Sequence, residues 1–109
     1  MKVERYSIYW VDLNPVIGAE TSKIRLAVVV SDDLMNTHLQ TVVVCPLTSK
    51  LYPGWRSRIL INCAGKQSEI AVDQIRTVSK LRLKQAVDHL SDAAAEQLRV
   101  LIVEMYGLG

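Results

Sequence analysis

Two runs of β-branched residues, Val28-Val29-Val30 and Val42-Val43-Val44, constrain this 109-residue chain more than any other feature. Valine, branched at Cβ, is stiff against a preceding helical turn and fits a pleated, half-buried surface instead. Leu26 and Ala27 lengthen the first run to five apolar residues flanked by charge, the pattern of a buried central strand. Arg25 stands at the mouth of that strand. The second strand, residues 41–48, ends on the hydroxyl of Thr48. The two strands are expected to set Arg25 and Thr48 side by side, as a pair able to handle phosphate.

The rest of the chain reads as more short strands. Residues 6–13 alternate, with Tyr6, Ile8, Trp10 and Asp12 on one face and Tyr9, Val11 and Leu13 on the other. Asn14-Pro15 ends that strand, and residues 16–22 make a loop around Gly18 that carries Glu20. Residues 32–38 suit one helical turn. Pro46 suits an edge or bulge position, since it has no N–H for a ladder. Residues 50–55 form a loop with a Pro-Gly turn signal, residues 56–63 a strand, and residues 64–67 a turn. A further strand is expected from Ser68 through Ile75 to Val78, then a short helix and brief strand before Leu90. Ser91 caps a final amphipathic helix with Ala94, Leu98, Leu101, Ile102 and Met105 on one face and Gly107 as a left-handed cap. Many short strands with one terminal helix predict a β-dominated α+β fold, a small bent sheet or barrel filling residues 1–109 as a single domain.

Composition narrows the function classes. Half the residues are apolar and 22% are charged, so disorder is excluded as the default. There is no phenylalanine, which leaves Val, Leu and Ile to fill the core with Trp10, Trp55 and four tyrosines. No apolar run reaches the roughly 20 residues that span a bilayer, and the first residues lack the pattern of a secretory signal. A cytoplasmic protein with no membrane contact is expected. Cys45 and Cys63 read as small core hydrophobes. His38 and His89 lack neighbours at ligand spacing, so neither a metal nor another cofactor is expected. Between positions 50 and 84, eight basic side chains meet two acidic ones. That segment is either a footprint for a polyanion or a solvated surface.

What remains for chemistry is an arginine, a hydroxyl and a carboxylate. Arg25 offers a fork of donors matched to phosphate oxygens, Thr48 donates or accepts one bond, and Glu20 lies just before Arg25. Each also has a plain reading: a strand-end charge, a satisfied turn hydroxyl and a surface carboxylate.

Four stretches then carry a resemblance. They are residues 8–15 (Ile8-Tyr9-Trp10-Val11-Asp12-Leu13-Asn14-Pro15) followed by Gly18-Ala19-Glu20, and Lys23-Ile24-Arg25 followed by Val28-Val29-Val30-Ser31. The others are Pro46-Leu47-Thr48-Ser49, and Asp73-Gln74-Ile75-Arg76-Thr77 with Lys80 and Leu83. In order and spacing they resemble the MazF/PemK family of toxin endoribonucleases, also called mRNA interferases, over nearly the whole chain. Leu26 stands where the family usually has proline. Ala71 stands where some members carry a second arginine near Asp73, which favours Arg25 with Thr48 as the working pair.

The resemblance implies an SH3-like barrel of the CcdB/PemK type, a homodimer, and metal-independent cleavage of single-stranded mRNA. A ribose 2′-OH would attack the adjacent phosphate, leaving 2′,3′-cyclic phosphate and 5′-OH ends. It also implies neutralisation by a cognate antitoxin with an acidic, flexible tail. Arg25 would stabilise the phosphorane, Thr48 would position the phosphate or relay a proton, and Glu20 would act as base. RNA contact would fall to Lys23, Ser49, Tyr52, Trp55, Arg56, Arg58, Asp73, Gln74 and Arg76, although core packing is the preferred reading of Trp55. The competing readings are a gyrase-binding toxin of the same fold and a plain RNA-binding barrel.

Overall fold

The two valine runs lie side by side in the computed structural model, which describes residues 2–14 and 24–107. The first is β2 (Ile24–Val29) and the second β3 (Thr41–Thr48), paired antiparallel with Ala27 opposite Pro46 and Val29 opposite Val44. β1 (Ser7–Asp12) flanks β2 on its other side, with Trp10 opposite Leu26. Beyond it lies β7 (Leu83–His89), which pairs with β1 through two register shifts. On the far side of β3 come β5 (Lys66–Ala71) and then β4 (Arg58–Cys63), while β6 (Arg76–Ser79) pairs with the first half of β3.

Alternation along β2 explains why both faces had to be apolar. Val28 and Val30 belong to one cluster, with Ile8, Cys45, Leu47 and Ile70. Ala27 and Val29 belong to a second on the opposite face, with Val11, Leu13, Val42 and Val44. The terminal helix, α2 (Asp92–Ile102), closes over the first cluster with Ala95, Leu98 and Leu101. Ser91 caps it as expected, its hydroxyl accepting from the Ala94 N–H at 3.1 Å. The short helix α1 (Asp33–His38) occupies the stretch read as one helical turn, with Asp32 as its cap. The expected fold, a strongly bent antiparallel sheet with a C-terminal helix, is the one observed.

Several local expectations are corrected. Pro46 is neither at an edge nor in a bulge but inside the central strand. The Val43 carbonyl accepts from Val30 on the β2 side, so alternation points the Pro46 nitrogen the other way. There β3 changes partner from β6 to β5, and no ladder bond is lost. The strand expected to continue through Ile75 breaks into a 3₁₀ turn at Val72–Gln74, which separates β5 from β6. The stretch after Ser79 holds only a 3₁₀ turn, Lys80–Arg82, before a seven-residue β7. Gly107 does not cap α2 in the left-handed region. Val103 stays right-handed and donates to the Arg99 and Val100 carbonyls, so the helix widens into a π turn over Val103–Gly107.

Candidate RNA-cleavage site

Continuing the Ala27–Pro46 register outward sets Arg25 across from Thr48. Both residues line one cleft of about 460 Å³. Trp10, Ile24 and Leu26 line it beside Arg25, and Ser49, Lys66 and Ser68 line it beside Thr48. Arg25 and Thr48 are both half-buried, reachable by a ligand yet held by packed strands. The Thr48 hydroxyl accepts from the Lys50 N–H at 3.1 Å, which leaves its own hydrogen to donate. A guanidinium, an ammonium and a hydroxyl thus share one opening, a donor set suited to a phosphate and its developing negative charge.

A second group of residues adjoins this cleft. In the β3–β5 pairing Thr48 stands opposite Glu69, a carboxylate only 4% exposed. Glu69 Oε1 accepts from the Tyr52 N–H at 3.0 Å and lies 3.7 Å from Arg58 Nη1. Arg58 Nε donates to Asp73 Oδ1 at 2.9 Å. Its guanidinium carbon also lies 5.2 Å from the ring centres of both Tyr52 and Trp55. Those rings stack on each other, 4.2 Å apart and 21° from parallel.

The residues expected from sequence therefore fall into separate groups. Arg25, Thr48 and Ser49 share the cleft, and Tyr52 and Trp55 stack on each other outside its lining. Trp55 is 50% exposed, which corrects the preferred reading of it as core. Arg58 and Asp73 face each other, and the Arg58 side chain, 7% exposed, has its charge met inside the protein rather than offered to a polyanion. Ala71, small and buried, stands directly opposite Arg58. Arg56 is exposed and pairs with Glu104 at 3.4 Å, beside α2. Arg76 donates to the Leu13 carbonyl at 3.3 Å, and Gln74 is half-buried. Glu20 and Lys23 lie outside the described residues.

Sequence reading missed Trp10, Lys66, Ser68 and Glu69. The only signal for Glu69 was an acid inside an otherwise strand-like run, facing the most basic part of the chain. The thiols offer no nucleophile: burial, with a smaller effect from Asp73, pushes Cys45 up to about 12, and burial also raises Cys63. Among the described residues no three His, Cys, Asp or Glu side chains converge as metal ligands, and no helix is long and apolar enough to cross a membrane.

Comparison with known proteins bears directly on this arrangement. Residues 4–106 match the family described as PemK-like, MazF-like toxin of type II toxin–antitoxin system. The chain is 31% identical over 114 residues to endoribonuclease MazF of Staphylococcus saprophyticus, covering 97% of this chain and 92% of that one. It is 29% identical over 103 residues to endoribonuclease EndoA of Bacillus subtilis, covering 90% and 89%. In fold it is similar to MazF from Deinococcus radiodurans, with a TM-score of 0.86 at 18% identity over 99% of both chains. It is likewise similar to a mycobacterial endoribonuclease solved with its cognate antitoxin, at 0.78 and 18% identity over 99% of this chain and 96% of that one. The chain with Arg25 and Thr48 on one cleft belongs to the PemK-like, MazF-like toxins of type II toxin–antitoxin systems.

Proposed function

We propose that this toxin is an endoribonuclease that cuts single-stranded mRNA at the Arg25–Thr48 cleft, without a metal. The observation that carries the reading is the placement of those two residues, from neighbouring strands, in the lining of one opening together with Lys66. The substrate supplies the nucleophile: a ribose 2′-oxygen bonds to the adjacent phosphorus as the bond from phosphorus to the 5′-oxygen breaks. The 2′ proton goes to a base and the 5′-oxygen takes up a proton, so the products end in a 2′,3′-cyclic phosphate and a 5′-OH. No external water enters, and the enzyme's main task is to hold the extra charge on the phosphorane. Arg25 is suited to that task because a guanidinium presents a planar fork of donors matched to phosphate oxygens. Thr48 positions the phosphate, and Glu20 is the proposed base. Ser49, Tyr52 and Trp55 are proposed to hold the flanking nucleotides, with Lys23, Arg56, Gln74 and Arg76 as outer contacts. Arg58 and Asp73 act through their contacts with each other. The working form is proposed to be a homodimer in the cytoplasm, neutralised by an antitoxin whose acidic, flexible tail competes for the same basic opening.

The test is incubation with a long single-stranded RNA in EDTA, with product ends mapped and identified. Wild type is expected to make discrete cuts with cyclic-phosphate ends. Arg25→Ala should lose about 10²–10³-fold in rate, by analogy with removal of a charge-stabilising donor. Arg25→Lys should recover only part of that, because a point charge lacks the bidentate fork. Thr48→Val should fall well below wild type with its fold intact. Intact RNA with a folded wild type, or equal cutting by Arg25→Ala, would overturn the reading.

A further inference from the structure

Glu69 is out of place for a residue of the hydrophobic sheet. It is 4% exposed, between Ser68 and Ile70 on β5, and directly across the ladder from Thr48. Burying a carboxylate costs free energy unless its charge and lone pairs are met, and an apolar residue there would often be as stable or more so. Its contacts show what it holds. One oxygen accepts the Tyr52 N–H at 3.0 Å, and Arg58 Nη1, buried and without a hydrogen-bond partner of its own, lies 3.7 Å away. Arg58 in turn is held by Asp73 and lies against both rings of the Tyr52–Trp55 stack. A single buried carboxylate thus ties half-buried Tyr52, and the exposed Trp55 stacked on it, to the strand position facing Thr48.

We infer that Glu69 is a positioning residue that holds the Tyr52–Trp55 stack at a set distance from the cleavage cleft, so that a nucleobase stacked on Trp55 fixes which nucleotide is favoured near the cut. The inference rests on the endoribonuclease reading and deepens it. Trp55 is half exposed although its ring is already stacked on Tyr52, so it offers π surface held in place. Any base can stack on such a surface, but stacking strength differs between bases, so a platform at a fixed offset from the scissile phosphate gives the strongest stackers a modest advantage at one position.

The test compares wild type, Trp55→Ala, Glu69→Ala and Glu69→Gln on a randomised single-stranded RNA pool, sequencing the cut sites. Near-UV circular dichroism reports whether the aromatic stack persists. A 2′-O-methyl RNA pool, which cannot be cut, reports binding through tryptophan quenching. Expected is a flattening of base preference by about threefold at one position relative to the cut in Trp55→Ala, the modest preference that differences in stacking strength support. Glu69→Ala should flatten the same position, with KM rising more than kcat falls. Glu69→Gln, which keeps an acceptor for Tyr52 but loses the charge facing Arg58, should fall between. Unchanged preference in both alanine variants, or a uniform loss at every site, would overturn the inference and leave the nuclease reading standing. Quenching that depends on Trp55 without any cutting by wild type would overturn the nuclease reading and support the platform. A wild type that neither binds nor cuts would overturn both.

Discussion

At the scale of single residues, position in the ladder decides what each side chain can do. Arg25 and Thr48 sit where buried strands emerge, so both are half-buried and line the cleft while their backbones are held. Cys45 is placed in the opposite way, buried in the core beneath the helix, and its thiol stays protonated at any cellular pH. With the Cys63 thiol also raised, an aromatic disulfide reagent at pH 8 should find no reactive thiol in the native protein and two after unfolding. A fast-reacting thiol in the folded protein would contradict the packing described. Arg25 and Thr48 were legible in sequence because apolar runs name their own ends. Glu69 and the pairing of Arg58 were not, because a charge gives no sign in one dimension of whether its partner is water or a buried neighbour.

At the scale of elements, hairpins and strand ends close the sheet. The turn between β4 and β5 uses Ala64 at φ 51° and Gly65 at φ 79°, and the Ala64 N–H is taken by Asp88 at the end of β7. One carboxylate thus links two strands at opposite ends of the sheet order. The Asp88 carboxyl is held below the usual carboxylate range, chiefly by the His89 N–H and next by that of Ala64. A depressed folded-state pKa contributes stability above the unfolded value, near 4, which is lost as pH falls through the folded value. Asp88→Asn should therefore melt below wild type at neutral pH, and the gap should close on acidification below about pH 4. A gap that widened in acid would contradict the contact. The strands were legible from their β-branched residues, and so was the capped helix. The break at Val72–Gln74 was not, since Asp73 and Gln74 interrupt an apolar run no more than an exposed strand position would. Nor was Pro46 in a central strand, because the change of partner along β3 that accommodates it exists only in three dimensions.

At the scale of the whole molecule, a curled sheet with a core on each face brings two strand ends to one opening and anchors an aromatic loop through Glu69, the ladder partner of Thr48. In the proposed reaction that arrangement asks little of the protein's own acids and bases and much of the substrate's 2′-OH. The most direct measurement uses an RNA oligonucleotide containing one mapped cut site and its twin with a single 2′-deoxyribose at the scissile nucleotide. Intramolecular attack requires the wild-type enzyme to bind both with similar affinity and to cut only the all-ribose strand. Cutting of the deoxy-substituted strand at the same bond and a comparable rate would mean that the nucleophile is not the 2′-oxygen, and the account of Arg25 and Thr48 given above would fall with it.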